Sequence, residues 1–178
     1  DQPATLGPDD NLFYLIEAER LDEEHYTATQ ARGGIGLRRV YSDQLFAEAG
    51  FGFNTILAED AFGKRRFKYI AGFLRAEYDR RNSRVDATSG YFINARLTPF
   101  LGLDGTDDGL QVKLDGRIYH GLGGSDRLVL AGRAQLGSVI GPSLSNASPT
   151  LLFFSGGAGS VRGHEYQSLG VPVGANSA

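Results

Sequence analysis

The chain has 178 residues, of which 41% are apolar, 22% charged and 11% aromatic, with 25 glycines, 6 prolines and no cysteine, methionine or tryptophan. Low proline and ordinary charge exclude collagen-like and disordered chains, the length fits one domain or a piece of one, and absent cysteine removes disulfide scaffolds, thiolate nucleophiles and cysteine-bound zinc. A formal charge of −3, from 18 basic and 21 acidic residues spread along the sequence, offers no stripe for a phosphate backbone, so nucleic acid is not an expected partner.

The start at Asp1 suggests a processed or cut chain. No run approaches the ~18 apolar residues of a spanning helix. A membrane barrel stays open, because its strands alternate lipid-facing and lumen-facing residues and leave mean hydropathy unremarkable. The alternation is present. In 10–20, Leu12, Tyr14, Ile16 and Ala18 oppose Glu17 and Glu19. In 26–41, Ala31, Ile35 and Leu37 oppose Arg32 and Arg38, with Gly33, Gly34 and Gly36 interleaved, and in 43–57, Leu45, Ala47, Ala49, Phe51 and Phe53 oppose Glu48 and Asn54. In 67–79, Leu74, Ala76 and Tyr78 oppose Arg75, Glu77 and Asp79. In 90–102, Tyr91, Ile93, Ala95 and Leu97 oppose Asn94, Arg96 and Thr98. The clearest strand, 109–121, sets Leu110, Val112, Leu114 and Ile118 against Gln111, Lys113, Asp115 and Arg117; a turn over Gly121–Asp126 leads to 127–140, where Leu128, Leu130, Ala134, Leu136 and Ile140 oppose Arg127, Arg133 and Gln135. Period two gives each segment one apolar and one charged face.

Several of these strands exceed ten residues, longer than the ~5–6 of soluble sheets and matched to the ~9–11 of a tilted membrane-crossing strand. Mixed arginine and glutamate on the polar face suits a wet lumen; a soluble sandwich is the alternative. Phe13, Tyr26, Tyr41, Phe51, Phe53, Phe67, Tyr69, Tyr91, Phe92, Phe100 and Tyr119 fall near strand ends. They read equally as interfacial girdles or as residues of high strand propensity.

Chemistry-bearing constellations are sparse. His25, His120 and His164 are scattered without ligand spacing, so no metal site is expected, and no G-x-S-x-G elbow supports a serine hydrolase; catalytic residues and cofactors are expected to be none. Asp104-Gly105-Thr106-Asp107-Asp108-Gly109 has the makings of a tight hairpin turn rather than a calcium loop, because the distal bidentate glutamate is missing. Asp79 to Gly90 is turn chemistry, with Asp86, Thr88 and Ser89 able to bond the backbone and Gly90 allowing a sharp return. From Phe153 to Gly170 the chain is too glycine-rich for a strand and too aromatic for a free linker, which points to a long ordered loop.

Within that loop, Val161-Arg162-Gly163-His164, preceded by Phe154-Ser155-Gly156-Gly157, resembles the V-R-G-F/Y motif and F-x-G-G element of outer-membrane assembly and transport barrels, the superfamily that includes BamA, TamA and the two-partner secretion transporters. His164 stands where that family has an aromatic. Tyr78-Asp79-Arg80-Arg81 with Val85-Asp86-Ala87-Thr88-Ser89-Gly90 resembles the family's Y-D-x-R-D/N…D-P-T-x-G periplasmic turn, with alanine for proline. Tyr166 to Gly170 and Leu136 to Gly141 look closest to the TamA branch.

The resemblance implies an all-β, antiparallel transmembrane barrel in the bacterial outer membrane, represented over 1–178 by about seven strands of a larger barrel, with 141–178 as a long lumen-directed loop. It implies a TamA-like assembly or translocation factor without enzymatic activity; a passive pore or adhesin-like barrel is the alternative. Val161, Arg162, Gly163 and His164 would form the lumen-loop motif, with Phe154, Gly156 and Gly157 as its support, and Arg75, Glu77, Arg96, Arg117 and Arg133 would line the lumen beside Arg32, Arg38 and Lys113. Implied partners are outer-membrane lipids, client outer-membrane or autotransporter polypeptides, and a periplasmic or inner-membrane-anchored TamB-like protein. The family's periplasmic POTRA repeats and terminal barrel strands are expected to lie outside this sequence, along with the usual acidic partner of Arg162. An open seven-strand sheet would leave two edges unsatisfied in lipid, so the segment is expected to need the rest of its barrel.

Overall fold

The structure, a computed structural model, describes residues 2–3, 7–123, 128–143 and 145–153. A two-residue strand, β1 (Gln2–Pro3), is followed by seven long ones: β2 (Asp10–Glu23), β3 (Tyr26–Ser42), β4 (Leu45–Asp60), β5 (Gly63–Asp79), β6 (Ser89–Leu103), β7 (Gly109–Leu122) and β8 (Leu128–Ile140). They form one antiparallel meander in chain order, and a 3-10 turn at Pro149–Leu151 follows. Each neighbour is reached by a tight hairpin or short connection, as period-two segments bounded by Gly, Asp and Asn require.

Side chains directly opposite in an antiparallel pair share a face. The register places Leu12, Leu37, Ala49, Leu74, Leu97 and Val112 together on the outer face, and Arg38, Glu48, Arg75, Arg96 and Lys113 together on the inner face. On the outer face of β5 the positions from Ile70 to Tyr78 are uncharged, and on β3 the same holds from Thr29 to Leu37, before Arg39. Each uncharged stretch has the ~9–11-residue length of a tilted membrane crossing. Ile16, Phe51, Leu74, Ile118 and Leu136 are exposed on this face, which a water-soluble sheet would have to cover.

The inward side chains divide into layers along the strands. At the end bearing the hairpins 24–25, 61–62 and 104–108, Ala28, Ile56, Ala58, Phe67, Tyr69, Phe100 and Leu151 make the one buried apolar cluster among the described residues. Below it Gly34 pairs with Gly52 and Gly36 with Gly50. Phe13 from β2 and Phe73 from β5 lie over this glycine floor, their ring centroids 5.9 Å apart. A Cβ at Gly36 would stand 2.6 Å from Cζ of Phe13, and one at Gly50 would stand 2.4 Å from the Ile35 carbonyl oxygen. Missing side chains let adjacent strands coil closely, and the rings shield the backbone thus exposed. The charged layer follows, toward the opposite end.

Two sequence expectations need amendment. The aromatics do not form a simple lipid-facing girdle: the register puts Phe13, Tyr26, Phe67, Tyr69, Phe92, Phe100 and Tyr119 on the inner face, leaving Tyr41, Phe51, Phe53 and Tyr91 outside. Inside they cover glycines, stack under arginines or pack against Leu151, work unrelated to the interface. The fourth long strand begins at Gly63 rather than at 67, because Lys64 and Arg65 pair with Glu59 and Ala58 and extend the ladder beyond the apolar stretch.

Candidate functional site

The inner face encloses a cavity of about 710 Å³ touched by Asn11 and Phe13 on β2 and by Gln111 and Lys113 on β7, so the sheet curls around it. Charges on this wall are mostly matched across strands. Arg32 donates to Glu17 from Nη2 at 2.7 Å. Glu48 receives Arg38 at 3.6 Å and Arg75 at 3.4 Å, and Arg75 also reaches Glu77 at 2.6 Å. Asp115 accepts from Arg117 at 2.7 Å and Arg133 at 2.9 Å. Gln30 donates to Glu19 across the β2–β3 pair. Such pairs on facing strands fix side chains in a wet interior without requiring deep burial. The expected lumen residues Arg75, Glu77, Arg96, Arg117 and Arg133 thus all lie on the charged inner face; the first two and the last two sit in ion pairs.

At the turn end, Asp79 is buried and takes a forked contact from Arg81, Nε at 2.9 Å and Nη2 at 2.8 Å. Phe92 is stacked between Arg81 and Arg117, each guanidinium 5.0 Å from the ring centroid. The Asp79 carboxylate holds the Arg81 guanidinium well above its usual range. The 80–88 connection is a built turn. Asn82 accepts the N–H groups of Thr88 and Ser89 at 3.0 and 3.1 Å, and Ser83 accepts those of Val85 and Asp86. Asn82 and Ser83, rather than Asp86 and Ser89, supply the principal side-chain acceptors. Gly90 has φ +99°, and a Cβ there would stand 2.1 Å from the Arg80 carbonyl oxygen. Glycine is required at that position on both counts.

At the opposite end the chain leaves β8 through Gly141 and turns back over the inner face. Asp107, in the 104–108 hairpin, accepts the Ser143 N–H at 3.1 Å, the Ser143 hydroxyl at 3.1 Å and Asn146 Nδ2 at 3.3 Å. These donors, the Ser143 N–H foremost, hold the Asp107 carboxyl below the usual range. Asp104 is paired with Lys68 at 2.6 Å, and Asp108 accepts the Gly102 N–H at 2.7 Å. The three carboxylates serve three separate contacts, which is hairpin chemistry. Leu151 then enters the buried cluster, 8% exposed, and buried Gln111 donates from Nε2 to its carbonyl at 2.6 Å. Phe153 lies over Gly137, and Lys113 Nζ is 5.2 Å from its ring centroid.

Residues 141–143 and 145–153 therefore form a loop root that runs back over the curled sheet. The motif Val161-Arg162-Gly163-His164 and the supporting Phe154, Gly156 and Gly157 lie outside the described residues. The sequence reading expected a long loop over 141–178 without singling out its root: nothing in Pro149-Thr150-Leu151 distinguishes a docking leucine from an exposed one until the pocket across four strands is assembled. The wall contains ion pairs, a hydrogen-bonded root and a cavity, and among the described residues no group of three or more His, Asp or Glu converges to hold a metal.

No curated protein matches the chain. The model of the Omp85 superfamily domain matches residues 16–178, from the second strand through the loop. An apolar outer band, a charged inner wall and this match agree: the chain belongs to the Omp85 superfamily, outer-membrane β-barrels that assemble or transport proteins.

Proposed function

We propose that this chain is a wall segment of a TamA-like outer-membrane barrel that inserts or translocates other outer-membrane proteins, and that its long loop, over 141–178, braces the lumen. The observation that carries the reading is the loop root. Leu151 lies in the buried apolar cluster of the inner face, which supports an inward course for the loop that follows β8. The exposed apolar band would meet outer-membrane lipid, with the 80–88 connection on the periplasmic side and the 104–108 hairpin outside. Arg162 would pin the loop through charge-assisted bonds, worth roughly 1.5–3 kcal/mol. Client strands would be autotransporter or other outer-membrane polypeptides, templated on unpaired strand edges elsewhere in the barrel. A TamB-like periplasmic or inner-membrane-anchored protein would be the partner on the other side.

The test is Arg162→Ala in the full-length protein, followed by surface display of an autotransporter. Display is expected to fall while the barrel still inserts. Wild-type display would remove the assembly role from the loop and favour a passive outer-membrane pore.

A further inference from the structure

One row of facing positions crosses the inner wall from β2 to β8: Asn11, Arg38, Glu48, Arg75, Arg96, Lys113, Gly137. Its cations outnumber its single carboxylate. Glu48 serves Arg38 and Arg75, and Arg75 is completed by Glu77. Arg96 and Lys113 face each other directly across β6 and β7, and among the described residues neither has an ion-pair partner. Like charges directly opposite in an antiparallel pair repel, so the arrangement is costly unless an anion joins it. The nearby acids are committed. Glu77 holds Arg75 and accepts Asn94 Nδ2 at 2.9 Å, while Asp115 holds Arg117 and Arg133. Both cations line the central cavity, and Phe153 has its ring centroid 5.2 Å from Lys113 Nζ.

We infer that Arg96 and Lys113 form a carboxylate-binding site on the lumen wall, two cations spaced across one strand pair to clamp an acidic side chain or terminus of a peptide. The other cations of this wall, Arg32, Arg38, Arg75, Arg117 and Arg133, are each matched by a carboxylate, which makes carboxylate the fitting anion. Two sources carry that group. Glu165 is the single acidic residue after Asp126, and it follows Phe153, already seated at the site, within the same loop. The other source is an acidic client polypeptide, and that arm rests on the assembly function proposed above.

Zero-length carbodiimide coupling of the full-length protein, followed by peptide mapping, reads the site directly, because it joins a lysine amine to a carboxylate in contact. Lys68 and Asp104, 2.6 Å apart, provide an internal standard. A Lys113–Glu165 amide that disappears in Glu165→Gln identifies the loop as the source. A Lys113 amide formed only when an acidic client peptide is added identifies the client. In either case Arg96→Gln should lower the yield several-fold. Coupling at Lys68 with Lys113 unmodified, or Lys113 joined to an acid of another barrel strand, overturns the site. Where Arg162→Ala lowers display, so that the assembly function holds, Lys113→Glu is expected to lower client display several-fold as well; unchanged display there also overturns the site. A coupled Lys113 alongside normal display in Arg162→Ala would keep this site while rejecting the assembly role of the loop.

Discussion

Leu151→Ala isolates the loop root from the barrel wall. Leu151 is 8% exposed and packs among Ile56, Phe67, Tyr69 and Phe100, whereas the other contacts of the segment that carries it are Gln111 on its carbonyl, Asp107 at Ser143 and Asn146, and Phe153 beside Lys113. Removing three buried carbons at ~0.8 kcal/mol each forfeits ~2.4 kcal/mol, and core leucine truncations reach ~2–5 kcal/mol when the cavity persists. A root at the edge of an open cavity can relax or admit water, so the lower part of that range applies, about 2–3 kcal/mol. At ~1.4 kcal/mol per tenfold, the docked-to-released ratio of the root should fall roughly 30- to 150-fold. Trypsin cleavage after Arg162 in detergent-solubilised full-length protein provides the assay, because under rapid opening the rate follows the population of the open form. The strands themselves should stay resistant, and the heat-modifiable gel shift of a folded barrel should persist. Unchanged cleavage after Arg162 would refute the anchoring argument. Equal acceleration throughout the strands would show that Leu151 supports the wall rather than the loop.

Three further outcomes test the geometry. Gly36→Ala and Gly50→Ala should each destabilise by roughly 1–3 kcal/mol in urea-induced unfolding, the cost of overpacking. Phe13→Leu together with Phe73→Leu should restore Gly36→Ala, whose strain is against the ends of both rings, but not Gly50→Ala, whose new Cβ meets the Ile35 carbonyl at 2.4 Å; equal rescue of both would contradict the assigned contacts. Gly90→Ala combines φ +99° with a 2.1 Å approach to the Arg80 carbonyl, so it should cost at least ~1–3 kcal/mol in the same assay, and a neutral result would place the turn differently. Asp107 has a depressed carboxyl, so its folded form favours the anion: its hold on Ser143 is present above the ordinary carboxyl pKa of ~3.9 and is lost as pH falls through the lower folded value. Protease sensitivity at the loop root should therefore rise only below about pH 4. Asp107→Asn should raise it at neutral pH and flatten that dependence.

Much of the wall was legible from alternation alone. Leu110, Val112 and Leu114 against Gln111, Lys113 and Asp115 determines which side chains share a face, because successive residues of a strand point opposite ways, and the same holds for the other six long strands. Strand length and turn residues then dictate a meander wide enough for a membrane. The glycine-rich stretch after β8 was visible as a break in that alternation, and the family match extends over it. What each inward residue does was not legible, since that depends on which strand stands beside it. Glu48 becomes the shared partner of Arg38 and Arg75 only in the register observed, and Phe13 and Phe73, sixty positions apart, meet only because two glycine-floored strands lie between them. The early start of β5 at Gly63 follows from hairpin pairing with β4, which overrides the polar character of Lys64-Arg65-Arg66. By itself the sequence determined the two faces and the strand set, because both arise from local geometry repeated every two residues. Only the tertiary structure decided the socket for Leu151 and the unmatched Arg96–Lys113 pair, because each is made by residues distant along the chain that antiparallel pairing brings side by side.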